Sequence, residues 1–262
     1  MSFLERVTPI VITWNEEPNV RRVFDRLAWA RDVVVVDSGS TDGTLDLLAR
    51  YPNVRVFTRP FRSHADQTNF ALRETGITTE WVLSIDADYV LSDALVSELG
   101  RLDPGPAMAG YSVKFVYRVL GRPLHGSLYP PRTVLFRKAD GAYEQEGHAH
   151  RLRLTGTAGA LVSPVFHDDR KPLSRWLANQ AVYADLEAAR LLSARARDLD
   201  RADRIRRTAS VAPVLVGLYC LFVKGCILDG RAGLYYTLQR VIAEALLVMR
   251  LWEIGADRNE VG

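Results

Sequence analysis

Two acids, Asp86 and Asp88, close the short apolar run Val82-Leu83-Ser84-Ile85. Residues two apart on an extended chain point the same way, so the spacing predicts both carboxylates on one side. The run itself reads as a buried strand. At the carboxyl end of a parallel strand, the pair would sit where open α/β sheets bind ligands. Converging carboxylates with no Cys or His beside them suit a hard cation, Mg²⁺ or Mn²⁺, which keeps coordination positions open for substrate phosphates. A plainer reading makes Asp86 a strand cap and Asp88 the start of a turn. The residues that precede the pair weigh against that plainer reading.

The elements that would position these acids are legible upstream. Val7–Thr13 is β-rich and ends in Trp14-Asn15-Glu16-Glu17-Pro18. Pro18 fits the first turn of a helix, with Asn15 or Glu17 near its N-cap. Val20, Val23, Phe24 and Leu27 then recur at helical spacing. A second buried strand is expected over 32–36, and the polar turn Asp37-Ser-Gly-Ser-Thr-Asp-Gly43 delivers a helix over 44–50. A third strand is expected over 54–57, a helix over 65–75, and then the strand carrying the two acids. Strands alternating with short helical patterns indicate a mostly parallel, Rossmann-like sheet. Polar segments follow the first, second and fourth strands, whose ends lie side by side on one edge. One crevice could therefore gather Asn15, Glu16, Asp37, Asp86 and Asp88. For Asp37 the alternative is a simple turn with a helix cap.

Thr13-Trp-Asn-Glu-Glu, Asp37-Ser-Gly-Ser-Thr-Asp-Gly, Asn69-Phe-Ala-Leu and Asp86-Ala-Asp88 resemble four landmarks of the inverting family 2 glycosyltransferases of the GT-A fold. The resemblance covers residues 7–99 in order and spacing. It implies that Thr13, Asn15, Glu16, Asp37 and Asn69 serve the nucleotide, that Asp86 lies near the ribose, and that Asp88 binds the metal under the donor diphosphate. Thr68 departs from the family, which often has a basic residue there; Arg62 or Arg73 could replace it. His125-Gly, Tyr129-Pro, Leu135-Phe-Arg-Lys138 and Leu228-Asp-Gly-Arg-Ala-Gly resemble the bacterial lipopolysaccharide-core subgroup. His167 matches a late His that ligates the metal in several GT-A enzymes, and a buried, hydrogen-bonded histidine is the alternative.

Downstream, Tyr111–Tyr117 and Thr133–Phe136 read as strands covering the acceptor side, and a strand-like run spans 160–165. Tyr143-Glu-Gln-Glu-Gly-His-Ala-His150 reads as a loop dense in titratable groups. His148 and His150 are too close, and lack a second thiol cluster, for a zinc site. Inverting transfer needs a carboxylate base. The family places its catalytic acid near here, so Glu146 is the expected base, with Glu144 and His150 as neighbours able to take that role. Arg170 and Lys171 could meet a diphosphate or an anionic acceptor, or form a solvated turn.

Residues 173–207 form one helical pattern or two, broken near Asp198, with seven Arg from Arg190 to Arg207 in a pattern that a solvated helix would explain. The 13 residues from Val211 to Val223 carry no charge, short of the ~20 that span a bilayer. Leu234–Trp252 is apolar but interrupted by Arg240, Glu244 and Arg250. Both segments suit helices lying in a membrane interface, or alternatively a two-helix core. Residues 170–262 hold 15 Lys/Arg against 10 Asp/Glu, while the whole chain of 262 residues has a formal charge of only +3. That asymmetry argues against general nucleic-acid binding and toward an acidic surface near the last third. Cys220 and Cys226 read as core thiols in a reducing compartment. Val7–Thr13 is expected as a strand rather than an export signal.

The expected architecture is therefore a GT-A domain over 1–170, split into a nucleotide-sugar half (1–99) and an acceptor half (100–170), followed by a helical membrane-interface region over 171–262. The expected activity is metal-dependent inverting hexosyl transfer from a nucleotide-sugar, most simply a UDP-sugar, to a lipid-linked or lipopolysaccharide-core acceptor. The expected place is the cytoplasmic face of the bacterial inner membrane, as a peripheral or monotopic protein. A nucleotidyltransferase would carry a Gly-rich loop after the first strand, and Thr13–Pro18 has no glycine. A non-catalytic membrane adaptor would have no reason to keep Asp37, Asp86, Asp88 and the Glu144/Glu146 pair.

Overall fold

A computed structural model describes residues 2–146, 149–208 and 210–260; the side chains of Glu146, Ala149, Ala196, Thr208 and 257–260 lie outside that description. The chain forms two compact units, residues 1–118 with 129–170, and residues 119–128 with 171–262.

In the first unit, β1 (Val7–Thr13), β2 (Val33–Asp37), β3 (Val54–Thr58) and β4 (Trp81–Asp86) pair in parallel in the order β4-β1-β2-β3. Helices α1 (Glu17–Phe24), α2 (Thr44–Leu48) and α3 (His64–Glu74) make the crossovers. The strands β1, β2 and β4 are apolar on both faces because both faces are covered, whereas the edge strand β3 is partly exposed. Val33 and Val35 enter one core cluster with Val11, Trp81 and Leu83; Val34 and Val36 enter another with Ile10 and Val82. Register then sets the site: Thr13 lies beside Asp37, and Ile12 beside Asp86. Three strand tips thus line up on one edge, as the alternation of elements predicts.

Beyond β4 the sheet is mixed. After β5 (Tyr89–Leu91) and α4 (Asp93–Gly100) come β6 (Met108–Val113) and β7 (Phe115–Val119); β8 (Arg122–Pro123) belongs to the second unit. Strand β9 (Arg132–Arg137) runs antiparallel between β4 and β6, and β12 (Thr157–Ala160) pairs parallel with β6 at the edge. Strands β10 (Gly141–Glu146) and β11 (Ala149–Leu154) form an antiparallel pair. Strand β13 (Val165–His167) lies between β5 and β7 in a smaller sheet.

Several expectations change. Strand β4 stops at Asp86, and Ala87 and Asp88 form a turn before β5, so the two acids are not neighbours on one continuous strand. The physical reason is pairing: β5 leaves the main sheet to join β13, and the chain must bend between them. The supposed loop at 143–150 is largely a strand pair for the same reason, since β10 and β11 satisfy one another's backbone. The 160–165 run is split between β12 and β13, and Tyr111–Tyr117 is interrupted at Lys114. The N-cap position of the first helix is Glu16, between Asn15 and Glu17 as expected, and its side chain makes no capping hydrogen bond.

The second unit is helical, with α5 (Leu173–Ser193), α6 (Arg201–Thr208), α7 (Ala212–Leu218) and α8 (Gly230–Glu260). Ala188, Leu191, Leu199, Leu247 and Leu251 form its core. The arginine run is less solvated than its sequence suggests. Arg206 grips Glu244 of α8 through Nε and Nη2 at 2.7–3.1 Å, and Arg190 meets Glu187 at 2.7 Å and Asp203 at 2.9 Å. Cys220 and Cys226 are free and fully buried. Gly225 takes a positive φ of 73° where the chain reverses, and the helical segments on either side of this break are bent by 73°. Among the described residues no single helix is long and apolar enough to cross a membrane. The inserted segment is held by His125, whose Nδ1 lies 2.5 Å from Asp229 Oδ1, and by the Leu128 N–H, which donates to the Tyr236 hydroxyl at 2.8 Å.

Candidate active site

The first wall of the site is made by the loops after β1 and β2, which are laced together. Asp37 is fully buried, and both its oxygens accept hydrogen bonds from within the protein. Thr13 Oγ1 donates to Oδ1 at 3.0 Å, Ser40 Oγ donates to Oδ1 at 2.5 Å, and the Gly39 and Ser40 N–H groups donate to Oδ2 at 2.9 and 2.8 Å. Asn15 takes a left-handed φ of 54°, which asparagine tolerates. That turn lets its Oδ1 accept from the Thr41 N–H at 2.6 Å. Its own N–H donates to Ser40 Oγ at 2.7 Å. Glu16 accepts from Asn19 Nδ2 at 2.8 Å, and its N–H donates to Thr44 Oγ1 at 2.7 Å. The polar side chains of this wall thus bond to one another and to nearby backbone groups.

The second wall pairs the Asp88 turn with the end of β13. His167 lies opposite Tyr89 in the β5–β13 ladder, and the Asp168 N–H donates to the Asp88 carbonyl at 3.1 Å. His167 Nε2 consequently sits 3.2 Å from Asp88 Oδ2, while among the described residues the buried His167 Nδ1 has no hydrogen-bond partner. Burial alone would lower the His167 imidazole. The Asp88 carboxylate, by charge and hydrogen bond, outweighs burial and raises it, with Asp86 and Asp169 adding to the effect. Residues 168–170 are clipped to α1: Arg22 Nη1 meets Asp168 Oδ2 at 2.5 Å, and the Arg170 N–H donates to Asn19 Oδ1 at 3.2 Å. Arg170 itself pairs with Asp168 at 3.2 Å, so the Arg170 side chain is engaged inside this segment.

Aromatic rings close around His167. Tyr117 lies 4.2 Å away by ring centroid, Tyr89 5.3 Å and Tyr129 5.5 Å. The Tyr89 and Tyr129 hydroxyls hydrogen-bond one another, and Arg132 Nη1 donates to the Tyr129 hydroxyl at 2.8 Å. Burial and the neighbouring Asp86 charge push both phenols up, so they stay protonated. On the β10–β11 side, His150 lies between His64 at 5.5 Å and Tyr143 at 5.1 Å. Burial pushes its imidazole down to about 4, with Asp86 opposing and His64 and Arg132 adding. Asn69 on α3 uses both amide atoms on the Tyr143 backbone, donating to its carbonyl at 2.8 Å and accepting from its N–H at 2.9 Å.

The sequence model described as Glycosyl transferase family 2 matches residues 8–147, more than half of the chain. The chain belongs to glycosyl transferase family 2. A curated relative of this family, the lipopolysaccharide core biosynthesis glycosyltransferase LpsC of Rhizobium meliloti, is 32% identical over 157 residues, 55% of this chain and 55% of that protein. An uncharacterized glycosyltransferase of Rickettsia conorii is 36% identical over 99 residues, 37% of this chain and 34% of that one. The matches thus span about a third to a half of the relatives' lengths. Among solved structures, S. aureus TarS 1–349 in complex with UDP-GlcNAc aligns with TM-score 0.51 at 18% identity, over 95% of this chain and 92% of that one. That likeness is one of fold, and the fold is GT-A.

Within this family 2 domain the expected residues fall into separate groups. Thr13, Asn15, Glu16 and Asp37 form one wall, and Asp88 with His167 forms the other, with Asp86 in electrostatic reach of His167. Asn69 stands apart, bonded to β10. Thr68, the departure from the family pattern, is buried and donates to the His64 carbonyl at 2.9 Å. The Glu146 side chain and His148 lie outside the described residues. Glu144 is exposed and held by Arg153 at 2.7 Å. Among the described residues no cluster of three or more His, Cys, Asp or Glu forms a closed metal cage. Sequence reasoning missed Tyr89, Tyr117 and Arg132 as site residues. The aromatic content of 111–132 was the available signal, yet nothing local says that these rings converge on a histidine 35 or more positions further along.

Proposed function

We propose that this chain is an inverting glycosyltransferase that moves a hexosyl group from a nucleotide-sugar, most simply a UDP-sugar, to a lipid-linked or lipopolysaccharide-core acceptor. The carrying observation is the Asp88–His167 pair beside the carboxyl edge of the β4-β1-β2-β3 sheet, with Asp88 inside the family 2 match. Open α/β sheets bind ligands at that edge. The 32% identity to a protein named for lipopolysaccharide core biosynthesis supports the acceptor class.

Asp88 and His167 fit a divalent cation, Mg²⁺ or Mn²⁺. A carboxylate oxygen and an imidazole nitrogen lie 3.2 Å apart, both largely shielded from solvent, and two protein donors leave most of an octahedral shell for phosphate and water. When bound, such a cation neutralises charge on the departing diphosphate. Thr13, Asn15, Glu16 and Asp37 build the pre-formed wall that receives the base and ribose, and Asp86 lies toward the ribose. Asn69 acts at one remove, by holding β10 against α3. Glu146 is our assignment for the base that takes the acceptor's proton: β10 runs extended to it, Glu144 is occupied by Arg153, and an imidazole at about 4 makes His150 a weak base.

The second unit supports a peripheral or monotopic place at the cytoplasmic face of the inner membrane. Val214, Leu218, Phe222, Val223, Ile227 and Leu228 are all at least half exposed, large apolar side chains of the kind that a membrane interface would bury. The catalytic reading is tested by calorimetry of UDP with Mn²⁺ on the full chain and on Asp88→Ala. The variant is expected to lose metal-dependent binding with its circular dichroism unchanged. Unchanged metal dependence would refute the assignment.

A further inference from the structure

Arg132 stands out among the cations of the first unit. It opens β9, whose antiparallel register with β4 pairs Trp81 with Arg137, Val82 with Phe136 and Leu83 with Leu135. That pairing stops at Leu83, and at the far end of β9 Arg132 lies within electrostatic reach of Asp86. The guanidinium is half-buried, lies 4.9 Å from the centroid of the Tyr129 ring, and donates to the Tyr129 hydroxyl. Tyr129 in turn packs on His167, which meets Asp88. Arg22 pairs with Asp168, Arg59 with Asp66 and Arg137 with Glu80, while Arg118 lies over the Phe166 ring at 4.1 Å, away from the two acids' strand end. Among the described residues no carboxylate lies within ion-pair distance of Arg132. Phenols are its neighbours instead, and burial, which by itself would lower it, is outweighed by Tyr129, Tyr89 and Asp86. A partly desolvated cation without an ion-pair partner is costly unless an anion completes it.

We propose that Arg132 holds the diphosphate of the nucleotide donor, its planar fork of N–H groups meeting phosphate oxygens beside the Asp88–His167 pair. The inference rests on the nucleotide-sugar reading above and deepens it. A guanidinium suits this place better than an ammonium because its fork can keep one bond to Tyr129 and still present a bidentate edge to phosphate. The Tyr89–Tyr129 hydroxyl pair orients that edge. The chain also has Thr68 turned to its own helix, bonded to the His64 carbonyl, so Thr68 supplies no charge to the diphosphate.

The test compares UDP, UMP and uridine by calorimetry, with Mn²⁺ present, on the full chain and on Arg132→Lys and Arg132→Met. Arg132→Met is expected to weaken UDP by roughly ten- to a hundred-fold, the range of a lost charge-assisted hydrogen bond. UMP should weaken less and uridine not at all, and Arg132→Lys should recover only part of the loss. Retained uridine binding certifies that the variant is folded. If either variant keeps the wild-type preference for UDP over uridine, Arg132 does not hold the diphosphate. If all three ligands weaken together, its role is structural and the inference falls. If the wild type itself shows no preference for UDP over uridine, the donor reading fails first, and this inference with it.

Discussion

His150 should make the first unit acid-sensitive well above the range where carboxylates titrate. Its ordinary value of 6.5 is pushed down to about 4 by burial between His64 and Tyr143. A base whose folded value is depressed contributes stability that is complete above about 6.5 and lost as the pH falls toward 4. Between pH 7 and 5 the unfolded chain takes up the proton and the folded chain refuses it. About 1.5 units of that refusal are realised at pH 5, or about 2 kcal/mol at ~1.36 kcal/mol per unit. His167 acts with the opposite sign. Its folded value is raised, so its contribution is complete below the unfolded value and fades as the pH rises through the folded one. Wild type alone would mix the two. The comparison is therefore with His150→Phe, which keeps a ring between the same neighbours. Urea denaturation followed by tryptophan fluorescence at pH 7, 6 and 5 should show wild type losing about 2 kcal/mol more than the variant between the extremes. The His150 Cε1 proton in the NMR spectrum should titrate near 4 rather than 6.5. Parallel loss of stability in both proteins, or titration near 6.5, would refute this account.

Three further outcomes are expected. Asp37→Ala removes an acceptor used by two N–H and two O–H donors in a fully buried turn, and should cost about 3 kcal/mol in urea denaturation; a cost below ~1 kcal/mol would mean the two loops hold without it. Glu146→Gln should lower sugar transfer by ~10²–10⁴-fold with UDP affinity nearly unchanged; near-full turnover would move the base to Glu144 or His150, as the corresponding variants would reveal. Vesicles containing anionic phospholipid should carry the full chain upward in a flotation gradient, and the double substitution Phe222→Ser with Val223→Ser, at positions 63% and 67% exposed, should leave more of it at the bottom.

The parallel half of the sheet was determined by local sequence. Apolar runs of strand length, spaced by short helical patterns and ended by polar turns, leave few other folds. The same alternation set Thr13, Asp37 and Asp86 on one edge, because parallel strands joined by short crossovers keep their carboxyl ends together. The Asp37 loop needed little more, since its hydrogen bonds run to Gly39 and Ser40 beside it and to Thr13 on the adjoining parallel strand. The geometry of the Asp86/Asp88 pair was not legible locally: a two-residue spacing marks one face only while the strand continues, and β5 leaves for another sheet. What brought His167 to Asp88, and Arg132 within electrostatic reach of Asp86, was pairing between strands far apart in the chain, β13 with β5 and β9 with β4. Such antiparallel neighbours are chosen by which edges remain unpaired once the parallel core exists. That choice belongs to the assembled sheet, and no window of the sequence contains it.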